Sequence, residues 1–252
     1  MKGFLEIIKN FWQNAYSIFY HESMSCELCG KEVFDGKSFC EECFKEFPFL
    51  TDKICNHCGR KVPYALNYCL SCKNKQTAID QIRSVFDYEM PITLLIHRFK
   101  YRGRRYLSKI FAEFLANVYY KNYFNSDLII YVPMFIKDQK KRGFNQSKLL
   151  AKELSKLINV EVVENVITKE SKTKRQALLK RAERKKNLEN SFKIRNAKLI
   201  KGKSVLLIDD VMTTGTTLER IAELLRKKGV KEIKALTVAS VQINNENFNR
   251  EG

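Results

Sequence analysis

The sequence contains no run of about 18 apolar residues, so none of it predicts a membrane-spanning helix. Its start, Met1-Lys2-Gly3-Phe4-Leu5-Glu6, lacks the unbroken apolar stretch and cleavage site of a secretory signal. A cytoplasmic location is the expectation that follows. Acidic residues are also in short supply, with 28 Asp+Glu against 46 Lys+Arg and a formal charge of +18. The surplus is uneven: residues 1–75 carry a net +1 and residues 76–252 a net +17. A surface this basic attracts polyanions or phosphorylated metabolites and says nothing of fold. Cysteine is absent beyond position 72. The remaining composition, 44% hydrophobic and 29% charged over 252 residues, suits one or two globular domains and argues against wholesale disorder.

All eight cysteines form four pairs: Cys26/Cys29, Cys40/Cys43, Cys55/Cys58 and Cys69/Cys72. A shift of 29 residues maps the first two pairs onto the last two, so the module is an internal repeat. Two thiolates spaced Cys-x-x-Cys grip one tetrahedral ion from a tight turn, and a second pair completes the ligand set. Gly30 and Gly59 follow the first pair of each repeat, where a backbone of positive φ suits the turn. A disulfide scaffold is the competing interpretation and requires an oxidising compartment. Without a secretion signal, two structural zinc sites are expected, one on Cys26, Cys29, Cys40 and Cys43 and one on Cys55, Cys58, Cys69 and Cys72. An interleaved pairing of the first set with the third is compatible with the same spacing. His57 is read as a bystander. Ahead of the cysteines, Phe4, Ile8, Phe11, Ala15 and Phe19 recur at helical spacing, which predicts an amphipathic helix over 1–22 that docks on the rest of the chain.

From residue 76 the pattern becomes that of an α/β domain. Strands are predicted over 127–133, 162–167, 204–209 and 233–241, with helices over 144–158 and 217–228, the latter capped by Gly229. Such alternation indicates a parallel sheet, whose ligands bind beyond the carboxyl ends of its strands. One such end reads Asp209-Asp210-Val211-Met212-Thr213-Thr214-Gly215-Thr216-Thr217. Two carboxylates leave a buried strand, and a hydroxyl-rich loop with one glycine enters a helix N-terminus, the makings of an anion seat. Thr216 and Glu219 have capping-box spacing. The alternative, an ordinary capped helix, leaves the paired carboxylates unexplained, because buried charges need partners such as ribose hydroxyls or a metal.

Residues 205–217 resemble the phosphoribosyl-pyrophosphate (PRPP) signature of type I phosphoribosyltransferases. That resemblance implies that Asp209 and Asp210 hold the ribose hydroxyls, and that Thr213, Thr214, Gly215, Thr216 and Thr217 cradle the 5′-phosphate, with magnesium accompanying PRPP. Together with the cysteine pairs it is similar to the ComF family of competence-associated proteins. Arg142-Gly143-Phe144-Asn145-Gln146, the spaced Gln176, Arg184, Asn187 and Phe192, and Phe99-Lys100-Tyr101 resemble further motifs of that family. The fold so implied is α/β: a parallel-sheet type I phosphoribosyltransferase-like domain over 76–243, preceded by a double zinc-ribbon-like module over 23–75, with four cysteines to each site, and followed by a polar tail over 244–252. Arg142, Lys174, Gln176 and Arg184 are candidates for contacting pyrophosphate. One departure concerns catalysis: residues 212–218 hold no carboxylate to act as general base, so no catalytic residue is assigned and binding is better supported than turnover.

Two basic stretches complete the picture. Residues 169–203 carry 14 basic and 3 acidic side chains, more than one pyrophosphate requires. Arg98-Phe99-Lys100-Tyr101-Arg102-Gly103-Arg104-Arg105 interleaves cations with aromatics, the pairing that single-stranded nucleic acid wants. A solvated face in a lysine-rich protein is the plainer alternative. The expected function is that of a competence-associated protein that binds PRPP and single-stranded DNA during natural transformation, with DNA-uptake or recombination proteins as further partners. An active phosphoribosyltransferase of nucleotide metabolism is the second reading. A PRPP-sensing regulator of duplex DNA is disfavoured, since no helix-turn-helix is evident.

Overall fold

The computed structural model describes residues 25–34, 36–51, 53–63, 65–73, 76–170 and 191–242. The expected N-terminal helix, the polar tail, and Lys174, Gln176, Arg184 and Asn187 lie outside the described residues. The chain divides into two compact units, Met1–Pro48 and Phe49–Gly252.

In the first unit, Cys26 N–H donates to the Lys31 carbonyl at 2.7 Å and closes a knuckle turn. Helix α1 (Glu41–Lys45) follows, with Cys40 at its N-cap. Phe39 and Phe47 are buried edge to face, centroids 4.9 Å apart. The second unit begins with the same plan. Cys55 N–H donates to Arg60 O at 2.7 Å, and α2 (Leu70–Lys73) carries the last cysteine.

That second knuckle is fused to strand β1 (Gln81–Asp87). Ile82 N–H donates to His57 O at 2.7 Å, and the buried Arg83 donates to Asn56 O at 3.1 Å and to Asn122 Oδ1 at 2.8 Å. Gly59, at φ 70°, lies so close to the strand that a Cβ would meet Ile82 O at 2.8 Å. Both its backbone angle and its neighbour therefore require glycine.

Helices α3 (Ile92–Tyr101) and α4 (Leu107–Lys121) come next, then β2 (Leu128–Tyr131), α5 (Ile136–Arg142), α6 (Gln146–Ile158) and β3 (Glu161–Val162). Strands β4 (Ile167–Lys169) and β5 (Phe192–Ile194) precede β6 (Ser204–Met212), α7 (Thr216–Lys227) and β7 (Glu232–Ser240). The main sheet has the order β1-β7-β6-β2-β3 and every pairing in it is parallel, as the alternating pattern implied. One face, through Val205, Leu207, Ile233 and Ala235, packs on Leu218, Ile221, Ala222 and Leu225 of α7. Helices α4 and α6 pack together and on strands of the sheet. They bring the buried Phe111, Leu115, Leu150 and Leu154 to the core.

The expected strand over 162–167 is two separate pieces. Glu161–Val162 edges the main sheet, while Ile167–Lys169 pairs antiparallel with Phe192–Ile194 in a sheet of its own. A turn with Asn165 at φ 60° breaks the run between them. The capping box is also corrected. Gly215, not Thr216, is the N-cap of α7, and Glu219 Oε1 accepts from Ala78 N at 2.6 Å.

Candidate functional site

Strand β6 outruns its neighbour β2. Tyr131 at the end of β2 pairs with Ile208, whereas β6 continues beside β7 as far as Met212. Asp209 and Asp210 thus occupy the part of β6 that β2 leaves uncovered, at the carboxyl end of the sheet. Asp209 Oδ1 accepts from Ser147 Oγ at 2.8 Å and from Asp210 N at 2.9 Å. Burial, then the adjacent Asp210 carboxylate, pushes Asp209 up to about 7 against the opposing help of Ser147. Asp210 instead meets a cation: its Oδ2 lies 2.9 Å from Lys100 Nζ, both side chains largely shielded from solvent.

The loop then turns through Thr213 and Thr214, both exposed, to Gly215 at φ 83°. Gly215 has no side chain with which to cap α7, and the first N–H of the helix, that of Thr216, meets Thr214 Oγ1 instead. Thr214 Oγ1 lies 2.8 Å from Thr216 Oγ1 and 3.4 Å from Thr216 N, which keeps two hydroxyls together at the helix entrance; Thr217 follows in the first turn. Positive helix-end potential, backbone donors and hydroxyls together favour an anion at this end of the sheet, and two carboxylates stand beside them.

The Arg142–Gln146 motif builds one wall. Asn145 caps α6 by accepting from Lys148 N at 3.3 Å and donates to Val132 O at 3.1 Å, tying the helix to the end of β2. That cap places Ser147 against Asp209. Gly143 ends α5 in the left-handed conformation, and Arg142 donates to Gln146 Oε1 at 2.7 Å with its guanidinium 4.9 Å over the Tyr101 ring. A cleft of 480 Å³ opens there, lined among others by Lys100, Tyr101, Lys141, Arg142 and Phe144. Lys100 belongs to the cleft and to the Asp210 contact, and so connects the two. Lys169, at the end of β4, has its ammonium disfavoured by burial, with the charges of Asp138 and Asp209 opposing that shift.

The aromatic–basic stretch separates into two kinds of residue. Phe99 is fully buried against Phe111 and Phe144, so its ring is a core group and offers no face to a base. Arg105 covers the Phe144 ring at 4.9 Å, and Arg104 donates to Tyr106 OH at 2.9 Å. Tyr101 and Arg102 are exposed, and Arg98 is half-buried. Ser147 and Lys169 are site residues that sequence reasoning missed. Ser147 is one position past a recognised motif, in the first turn that Asn145 caps. Lys169 carries no signal beyond its basic neighbourhood.

The cysteines gather sequentially, settling the open pairing: Cys26, Cys29, Cys40 and Cys43 form one cluster, and Cys55, Cys58, Cys69 and Cys72 the other, ligand atoms within 4.8 Å. Cys29 and Cys40 sulfurs lie 3.7 Å apart, as do those of Cys58 and Cys69. A tetrahedron with metal–sulfur bonds of about 2.3 Å has edges of about 3.8 Å, so both clusters fit zinc and neither leaves an open ligand position. Within the second cluster hydrogen bonding with Cys55 and then burial raise Cys58, burial pushes Cys72 up, and the hydrogen bond with Cys58 lowers Cys55. Four thiolates so close do not coexist uncompensated. His57, 3.3 Å from Asp80 O through Nδ1, stands outside both clusters.

Among the described residues no helix is long and apolar enough to cross a membrane. Residues 18–73 match the double zinc ribbon domain and residues 140–247 the phosphoribosyl transferase domain. Competence protein F of Haemophilus influenzae is 33% identical over 208 residues, 80% of this chain and 89% of that protein. DNA utilization protein YhgH of Escherichia coli O157:H7 is 30% identical over 83% of this chain and 93% of its own length. Competence protein ComFC of Streptococcus pneumoniae is 26% identical over 85% and 99%. With two four-cysteine zinc sites, a parallel sheet and a threonine-rich loop at the carboxyl end of its central strand, the chain belongs to the ComF family of competence-associated, phosphoribosyltransferase-like proteins.

Proposed function

We propose that this protein binds PRPP with magnesium on the β6–α7 loop and holds single-stranded DNA on its basic surface, serving DNA handling in the cytoplasm during natural transformation. The observation that supports the ligand is the meeting of Asp209 and Asp210 with the Gly215-capped N-terminus of α7 at the carboxyl end of the central strand. Asp209 and Asp210 accept the ribose hydroxyls, Thr213 through Thr217 donate to the 5′-phosphate, and Lys100 and Arg142 face the pyrophosphate side. Magnesium accompanying PRPP would be held by the hard carboxylate donors Asp209 and Asp210 and would supply positive charge beside the ligand's phosphates. Lys100, 2.9 Å from Asp210 Oδ2, stands where its ammonium can meet a phosphate of the ligand.

The DNA assignment rests on the net +17 of residues 76–252 and on Tyr101 and Arg102 exposed beside the cleft. The names of the relatives, competence and DNA utilization proteins, point the same way. Calorimetric titration with PRPP and magnesium, with and without oligo-dT, tests both parts. Wild type is expected to bind PRPP only with magnesium, and the Asp209→Ala/Asp210→Ala protein to lose that binding while keeping oligo-dT. Absence of PRPP binding by the wild type refutes the ligand assignment. Pyrophosphate release with a panel of bases and amines decides the second reading, turnover as a transferase; with no carboxylate in residues 212–218, no release is expected.

A further inference from the structure

The second cysteine cluster does more than staple its own turn. Arg60, two residues beyond Cys58, has its backbone carbonyl bound by Cys55 N at 2.7 Å, so closure of the knuckle fixes where its side chain starts. That side chain is buried and runs into the α/β domain. Its Nε donates to Val241 O at 3.0 Å, and its Nη2 donates to Thr213 O. Val241 N–H in turn donates to Met212 O at 2.9 Å. One guanidinium thereby clamps the end of β7 to the first residue of the phosphate loop. Next to it, Lys61 Nζ lies 2.8 Å from the buried Asp87 at the end of β1, and Lys61 N–H donates to Gln242 Oε1 at 2.9 Å.

We propose that Arg60 is a positioning residue for the phosphate loop, and that the second zinc knuckle acts through it as the brace of the anion seat. In a trans peptide the carbonyl and the following N–H point in opposite directions. Holding Thr213 O toward Arg60 therefore turns Thr214 N–H to the opposite side, which makes it a fixed donor rather than a rotating one. A fork with two donors to two carbonyls suits arginine and not lysine, whose ammonium is a point charge without that geometry. The first repeat provides the contrast. Its equivalent position is Lys31, which is exposed and pairs with the exposed Glu42 beside its own cysteines. The repeat has thus been turned to two uses, a surface ion pair in the first copy and a buried clamp within the second unit in the second.

This inference rests on the PRPP assignment for its consequence in affinity but not for its structural content, and the test separates them. Arg60→Gln and Arg60→Lys are prepared with Lys31→Gln as the matched control, and zinc per chain is measured for each. Hydrogen exchange of residues 211–216 is followed without ligand, and PRPP–magnesium binding by calorimetry. Arg60→Gln is expected to hold two zinc ions, to exchange the loop amides at least tenfold faster, and to bind PRPP at least tenfold more weakly. Arg60→Lys is expected to fall between it and the wild type. Lys31→Gln is expected to change neither readout. Loop exchange equal to wild type in both Arg60 variants overturns the brace, as does an equal effect from Lys31→Gln. Loss of zinc in both Arg60 variants also overturns it, because Arg60 then serves the metal module and not the loop. A wild type that binds no PRPP removes the ligand assignment and leaves the exchange result to judge the brace.

Discussion

Lys100 Nζ lies 2.9 Å from Asp210 Oδ2, so the last turn of α3 is joined to the end of β6 by an ion pair. The contact brings together two stretches 110 residues apart that the sequence presents as unrelated motifs, one aromatic and basic, the other acidic and rich in threonine. It also sets the polarity of the site. Two adjacent carboxylates cannot both ionise cheaply at a half-buried strand end. The lysine contacts Asp210, while Asp209 is raised by burial first and by its neighbouring carboxylate second.

That division of labour leads to a pH-dependent prediction. Asp209 releases its proton at about 7 in the fold and near 3.8 when exposed. Between those values the folded state binds more protons than the unfolded, so stability falls as pH rises through that window and levels off above it. Asp209→Asn keeps an oxygen to accept from Ser147 and Asp210 N while removing the charge. Thermal melting is expected to show the variant several degrees more stable than wild type at pH 8 and no more stable at pH 4. Its PRPP–magnesium affinity should drop at least tenfold. A variant that melts lower than wild type at pH 8 contradicts this account.

The asymmetry between Asp209 and Asp210 was not legible in the sequence, although the pair itself was. Adjacent carboxylates after Val205–Ile208 announced the passage from a buried strand through a loop into a helix because apolar strand, acids, hydroxyls and glycine follow one another without interruption. Strands β2, β6 and β7 and the sheet's parallel character were legible for the same reason. The role of Lys100 was hidden, since its sequence neighbours Arg98 and Arg102 make it look like one of a row of surface cations. Phe99 was misleading in the same way. An aromatic between two cations reads as a stacking platform, but at helical spacing from Leu95 and Ile96 it turns inward. Strand β1 went unread because Arg83 interrupts its apolar pattern, and Arg83 is explained only by the knuckle carbonyl it meets in space.

Asn145 offers a test of the wall that carries Ser147. It is buried, caps α6 and bonds to Val132 O. Removal of an N-cap together with a buried hydrogen bond costs about 1–3 kcal/mol. For a chain of this size that corresponds to roughly 2–12 °C in melting temperature. Asn145→Ala is expected to melt lower by such an amount, whereas Asn145→Asp, which keeps the cap, should recover part of the loss. Equal melting of Asn145→Ala and wild type would show that the cap is dispensable.

Metal at the second cluster is expected to support β1 directly, since His57 O receives the Ile82 N–H and Asn56 O receives Arg83. Cys72→Ser should lower the zinc content from two ions per chain to one. It should also accelerate exchange of the Ile82 amide and reduce the melting temperature at every pH where the wild type is folded. Retention of two zinc ions by this variant would mean that the ligand set is not the four cysteines grouped by the fold.

The exposed end of α3 separates electrostatic from stacking contributions to DNA binding. A cation that neutralises one phosphate of a single strand adds about 0.7 to the steepness of log K against log salt. Arg102→Ala is therefore expected to flatten the oligo-dT slope by about that amount. Tyr101 is 61% exposed, with its ring near Arg142. Base stacking on such a ring is worth about 1–3 kcal/mol. Tyr101→Ala should then weaken oligo-dT binding by roughly 5- to 150-fold while leaving the salt slope unchanged, because no charge is lost. Anisotropy titrations at several salt concentrations distinguish the two signatures. If both variants bind as the wild type does, the strand lies elsewhere on the basic surface; if wild-type binding is insensitive to salt, the +18 of the chain is not what holds it.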